Sequence, residues 1–156
     1  MRLRKEWTTH IPMLIKYVQL TDKPVLELGT GLFSTPLLHW LCKEEGVKLK
    51  SYESVSKYYD FAKKFTSKGH SIGLVKDWNE IENNDNHWGV VFVDHTLERR
   101  WLDIIKFSER ADYIIVHDSD KIETYKYDKV FPLFKYRYDW KACKPWTTVL
   151  SNFKPL

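Results

Sequence analysis

Cysteine is scarce: the chain has two, Cys42 and Cys143, far apart and without CxxC spacing. That pattern supports neither a disulfide framework nor a structural zinc site, so both thiols are expected reduced and in the core. Long apolar runs are missing as well. The longest, such as Val90-Val91-Phe92-Val93, are strand-sized, against the roughly 18 residues that a membrane-spanning helix requires. The charged start Met1-Arg2-Leu3-Arg4-Lys5-Glu6 is not followed by an unbroken apolar stretch and a small-residue cleavage site. No secretory signal is read there, and a cytoplasmic location is expected. Repeats, linkers and low-complexity tracts are also absent. A length of 156 residues leaves room for one domain, 1–156, and excludes a two-domain enzyme.

What the chain does hold is apolar surface: 43% of its residues are hydrophobic and 15% aromatic. That is enough to offset the entropy of ordering a core, which excludes a disordered chain. Lysine and arginine exceed aspartate and glutamate, 25 against 21, for a net charge of +4.

Apolar positions Trp7, Ile11, Leu14, Ile15 and Val18 have helical spacing, with Pro12 starting or interrupting the main body of a helix over Trp7 to Leu20. After a turn at Asp22-Lys23-Pro24, Val25 to Leu28 reads as a buried strand running into the tight loop Gly29-Thr30-Gly31. Thr35 is placed to cap the next helix, with Pro36 in its first turn and Gly46 as its stop. The alternation then repeats. Strands are read at Leu49 to Tyr52, Ile72 to Lys76, Gly89 to Val93 and Tyr113 to Val116, with helices at Tyr58 to Phe65 and Glu98 to Arg110 and a polar loop over Glu80 to His87. Phe131 to Trp140 and Trp146 to Phe153 read as two β segments around Lys144-Pro145, with no helix between them. The pattern predicts an α/β fold with a mostly parallel sheet, helices on both faces, an antiparallel pair at one edge, and ligands beyond the carboxyl ends of the strands.

The segment Val25-Leu26-Glu27-Leu28-Gly29-Thr30-Gly31 resembles the first motif of class I S-adenosylmethionine-dependent methyltransferases, an acidic residue followed by GxG. Such a loop lets a ligand approach the backbone at a helix amino terminus, whose dipole suits a carboxylate. Glu53 follows Gly31 by 22 residues, at a strand end where a carboxylate can accept both ribose hydroxyls. Proteins that bind NAD share that acid. Their sixth fingerprint position falls on Ser34 instead of glycine, and the chain is too short for a dehydrogenase's further parts. The resemblance covers roughly Val25 to Phe153. It implies a Rossmann-like sheet of seven strands, S-adenosylmethionine as cofactor, and a cofactor site of Glu27, Gly29, Gly31, Glu53, Asp77, Trp78 and Asp94. Asp77 and Trp78 hold adenine in that family.

Val93-Asp94-His95 and His117-Asp118-Ser119-Asp120 end two strands that should be neighbours, so their polar groups converge. This pattern partly resembles catechol-type O-methyltransferases, where carboxylates at these places hold a divalent cation. The lysine base of that family aligns with Leu97 and its asparagine ligand with Ser119. A metal-free site is therefore expected. Asp94 and His117 are the candidate catalytic bases, with His95 third. Arg99 or Arg100 opposes the dipole of its own helix and is free to meet an anionic group.

Lys121 to Lys144 holds seven cations and three anions, a surplus equal to the net charge of the chain, interleaved with Tyr125, Tyr127, Tyr136, Tyr138 and Trp140. Such a segment can track a nucleic-acid backbone, although packing explains alternating aromatics more often. The expected function is methyl transfer to an oxygen or nitrogen, on a small molecule in preference to nucleic acid, with two copies pairing through the β edge. The alternatives are a non-catalytic adenosylmethionine-binding partner subunit and an NAD- or nucleotide-binding Rossmann protein.

Overall fold

A computed structural model describes residues 4–81 and 87–156. Met1 to Leu3 and the middle of the Glu80 to His87 loop, both read from the sequence above, lie outside them. Helix α1 is Ile11–Val18, with Pro12 in its first turn, where the missing N–H has no partner to lose. It buries Met13, Leu14, Tyr17 and Val18. Trp7, expected in the same helix, sits in a separate 3-10 turn, Lys5–Trp7. Strand β1, Val25–Leu28, is buried throughout. Helix α2 spans Ser34–Glu44. Its capping position is Phe33, without a side-chain bond. Thr35, expected to cap it, instead turns its hydroxyl inward onto Glu27 at 3.0 Å.

The remaining strands are β2 (Leu49–Glu53), β3 (His70–Leu74), β4 (Trp88–Val93), β5 (Ala111–His117), β6 (Tyr136–Trp140) and β7 (Thr147–Ser151). Together with β1 they form one seven-stranded sheet in the order β3-β2-β1-β4-β5-β7-β6. Strands β1 to β5 pair in parallel, and β7 runs antiparallel between β5 and β6. The expected Rossmann-like architecture with its reversed edge is therefore present. The chain leaves β1 first toward β2 and β3 and then returns to β4 on the other side. That reversal opens a crevice beyond the strand ends.

Alternation along the central strands feeds two cores. Leu26, Leu28, Val91, Val93, Ile114 and Val116 pack on one face, where helix α4 (Arg100–Phe107) contributes Ile104 and Phe107. Val25, Val90, Phe92 and Ile115 pack on the other, beneath α1 and α2. Helix α3, Ser56–Ala62, follows β2.

Three expectations are corrected. Strand β3 begins two residues before Ile72, because His70 is buried and bonded to Ser51 and His39. Phe131–Leu133 is a 3-10 turn rather than strand, and Pro132 within it has no N–H to give a ladder. It follows helix α5, Ile122–Tyr125, and a turn at Tyr127–Lys129 that the aromatic pattern concealed. Cys42 is buried as expected, whereas Cys143 is exposed.

Candidate active site

A cavity of about 640 Å³ lies beyond the carboxyl ends of β1, β2, β4 and β5. Gly31, Glu53, Asp94 and His117 line it from the strand ends, and Trp7 and His10 close it from the amino-terminal segment. The volume falls in the range usual for small-molecule sites.

The glycine loop is held from below. Glu27 is fully buried and accepts hydrogen bonds from Thr35 Oγ1 at 3.0 Å and Ser51 Oγ at 2.5 Å. Thr35 Oγ1 in turn accepts from the Gly31 N–H at 3.0 Å. Burial pushes the Glu27 carboxyl up to about 7, against the hydrogen bonds from Ser51 and Thr35. Glu27 thus sets the loop and does not itself line the cavity. Ser51 spends its proton on Glu27, so it accepts from His70 Nε2 at 2.9 Å, and His70 Nδ1 then accepts from the Nδ1–H of half-buried His39 at 3.1 Å.

The two glycines differ in purpose. Gly29 has φ +90°, and a Cβ there would sit 2.5 Å from the Asp94 carbonyl oxygen, so its lack of a side chain serves the close approach of two strand ends. A Cβ on Gly31 would meet only Ser34 Oγ, at 2.9 Å, and otherwise space. Gly31 lines the cavity. Glu53 also lines the cavity. Its Oε2 accepts from Thr30 N–H and Oγ1 at 2.9 and 3.1 Å, and its Oε1 from the N–H groups of Ser54 and Val55 at 2.7 and 2.8 Å. These bonds hold the carboxylate rigid at the rim of the loop.

Asp77 and Trp78 are not brought to the cavity. Asp77 is exposed and accepts from the Asn79 N–H at 2.9 Å, capping the turn Trp78–Glu80. Trp78 is buried in the core against His95, with ring centroids 4.3 Å apart.

Arg100, expected to reach toward an anionic group, is itself the center of the second constellation. Only 5% exposed, it donates to the carbonyls of His95 (2.6 Å) and His117 (3.1 Å) and to the carboxylates of Asp94 (2.9 Å) and Asp118 (3.4 Å). Asp118, with φ +57°, also accepts from Lys121 and Tyr125. A guanidinium therefore stands between the two carboxylates that a catechol-type cation would bridge. Arg99 pairs with Asp103 at 3.2 Å.

His117 faces Asp94 Oδ1 through Nδ1 at 3.2 Å and Thr9 Oγ1 through Nε2 at 3.1 Å. Burial opposes its charge, but Asp94 outweighs burial and raises the imidazole. Burial would also raise Asp94, yet the charge and hydrogen bond of His117, with Arg100, bring it down to about 2. Both Arg100 and His117 reach the same oxygen, Oδ1, and 24% of the Asp94 side chain stays exposed. His95 also lines the cavity, with Nε2 bonded to buried Asp103 at 2.8 Å and Nδ1 without a hydrogen-bond partner.

The sequence reading missed the amino-terminal wall. His10 is buried against Phe92 and His117, and neither ring nitrogen has a hydrogen-bond partner. The signal available was its place among Thr8, Thr9 and His10 just before the helix-starting Ile11-Pro12. Three aromatics of the basic segment, Tyr125, Tyr127 and Phe131, stack in sequence within the core, whereas Tyr138 is exposed. Lys121 and Lys144 line the cavity. Among the described residues no helix is long and apolar enough to cross a membrane.

No family model matches the chain, and no curated protein matches it in sequence. Solved structures do match in fold. Human methyltransferase 10 domain containing protein superimposes with a TM-score of 0.68 at 12% identity, over 94% of this chain and 84% of that one. The N-terminal domain of human METTL16 in complex with SAH gives 0.64 at 12% identity, over 99% and 73%. The hMettl16 catalytic domain in complex with MAT2A 3′UTR hairpin 1 gives 0.69 at 10% identity, over 99% and 72%. The fold is that of class I S-adenosylmethionine-dependent methyltransferases.

Proposed function

We propose that the chain transfers a methyl group from S-adenosylmethionine to an oxygen or nitrogen nucleophile. The observation that carries this reading is the cavity itself: Gly31 and Glu53 face it from one side of the crevice and Asp94 and His117 from the other. A domain of the same fold has been solved with SAH. Gly31 supplies the close backbone approach, and Glu53 would take a ribose hydroxyl by giving up its hydrogen bond from Thr30 Oγ1. The cofactor brings an electrophilic methyl on its sulfonium sulfur. The protein's part is to place the acceptor in line with that methyl and to exclude water, which Trp7 and His10 do as a wall. Asp94, held as a carboxylate by Arg100 and His117, is the group that accepts a hydrogen bond from the acceptor and orients it. Because both nitrogens of His117 are engaged, we assign it to positioning Asp94 rather than to direct proton transfer.

The acceptor in this reading is a small molecule, of a size that the cavity of about 640 Å³ accommodates. A second reading, a nucleic acid, has in its favor Arg4 and Lys144 at the cavity and the RNA hairpin on the hMettl16 domain.

Calorimetry tests the cofactor. Saturable binding of adenosylmethionine is expected, with no NAD binding, and Gly31→Val should weaken it by about tenfold or more by filling the cavity side of the loop. Saturable NAD binding with none of adenosylmethionine overturns the assignment. Turnover is then read as adenosylhomocysteine released with small-molecule acceptors and with RNA hairpins in parallel. Tight binding with no turnover in either arm points instead to a non-catalytic partner subunit.

A further inference from the structure

We infer that His10, Asp94 and His117 form a binding site for one divalent transition-metal ion of the zinc type, with its remaining coordination positions open to the cavity. The inference stands on the donor geometry and does not depend on the methyl-transfer reading. One potential ligand atom from each residue lies within 4.8 Å of the other two. His10 is 2% exposed with two unpartnered ring nitrogens beside His117 and the cavity. A buried polar atom without a partner costs about 1–3 kcal/mol and is uncommon enough to need a cause. A metal ion satisfies one of these nitrogens directly.

The surroundings of the other two donors are those of ligands. His117 Nε2 lies 3.1 Å from Thr9 Oγ1, a contact that fixes the ring while Nδ1 faces Asp94. Asp94 is held by Arg100 at 2.9 Å. Such outer hydrogen bonds orient metal ligands and tune their basicity. On binding, His117 Nδ1 exchanges its hydrogen bond to Asp94 for the ion, and its proton leaves to solvent.

The donor set selects the ion. Two imidazoles and one carboxylate suit zinc, cobalt or ferrous iron, whereas magnesium prefers oxygen ligands throughout. Arg100 already offsets the Asp94 charge, which disfavors an ion held by charge alone. Imidazole sites bind zinc through neutral nitrogens, without any anionic protein ligand. Metal–nitrogen bonds of about 2.0–2.1 Å require the three donors to close in by about an ångström. His10 is held by ring contacts to Phe92 and His117 rather than by hydrogen bonds, so it can rotate to do so. This site differs from a catechol-type one: Asp118 is committed to Arg100, Lys121 and Tyr125, and two of the three donors are imidazoles.

The test uses the full chain, stripped with a chelator, dialysed and titrated with cobalt(II) in the absence of adenosylmethionine. One equivalent should bind with visible ligand-field bands, zinc should displace it, and millimolar magnesium should not. His10→Phe, which keeps the ring packing, should weaken cobalt binding by at least about a hundredfold, more than loss of an outer partner costs. Absence of saturable bands, or an unchanged affinity in His10→Phe, overturns the site. Should that variant fail to fold, the unaltered protein decides by imidazole NMR under zinc. Shifts at His10 and His117 support the site, and shifts confined to His39 and His70, which sit 3.1 Å apart, overturn it.

Discussion

Replacing Arg100 with methionine is expected to lower the unfolding free energy by about 3–5 kcal/mol, the usual cost of removing one partner from a buried ionic cluster. The side chain is almost fully buried and meets four acceptors: two carbonyls, at His95 and His117, and two carboxylates, at Asp94 and Asp118. Methionine fills most of the volume and supplies no donor. Lys121 still reaches Asp118 at 3.0 Å, so the heaviest loss falls on Asp94 and the two carbonyls. Arg100→Lys should recover only part of the stability, because one ammonium cannot span acceptors on two strand-end segments as a planar guanidinium does. Urea denaturation at neutral pH measures both, and a loss below about 1 kcal/mol for the methionine variant would show that the cluster is not held by this residue.

Glu27→Gln is expected to gain stability over the parent as pH rises, by about 3 kcal/mol in all. Burial raises the native carboxyl from 4.5 to about 7, and each unit corresponds to about 1.4 kcal/mol. Between these values the native protein binds the proton more tightly than the unfolded chain does, so unfolding free energy falls with rising pH through this window. Above about pH 7 the whole penalty of a buried carboxylate is present; below 4.5 it is gone. Glutamine has no such penalty, and Ser51 and Thr35 can turn their hydroxyls to suit its amide. His10 and His70, both lowered to about 4 chiefly by burial, push stability the opposite way over much of the same range. They are common to both proteins, so the difference between parent and variant isolates Glu27. Denaturation curves from pH 4 to pH 8 that run parallel for the two would show that the carboxyl is not raised.

Strand positions in the center of the sheet were legible because fully buried parallel strands read as short apolar runs, as in Val25 to Leu28 and Gly89 to Val93. The edge was harder. Tyr125, Tyr127 and Phe131 alternate like a strand but stack around short helical turns, where tertiary packing overrides β propensity. For the site, sequence spacing located Gly31, Glu53, Asp94 and His117 at the cavity because each ends a strand or lies just beyond one. Asp77 and Trp78 have the same kind of position, yet the structure spends them on a turn cap and on core packing. Spacing places a residue near a strand end but does not determine where its side chain turns. Arg100 illustrates the same limit: its charge was visible, while its four acceptors come from segments that only folding brings together.

The cavity wall begins at Arg4 and ends at Pro145, with contributions from the loops after β1, β2, β4 and β5 between them. No contiguous fragment shorter than Arg4 to Pro145 contains the whole pocket. Its contacts are non-local, of the kind whose loop-closure entropy slows folding. A partly folded intermediate that holds only the first strands and helices has Gly31 and Glu53 but neither Asp94 nor His117, and it offers a ligand half a surface. Bound ligand therefore stabilises the native state as a whole, by about 2.7 kcal/mol at a hundred times its dissociation constant. In hydrogen exchange that gain would appear at the slowest amides of β4 and β5, far from the ligand, as well as in the glycine loop that touches it.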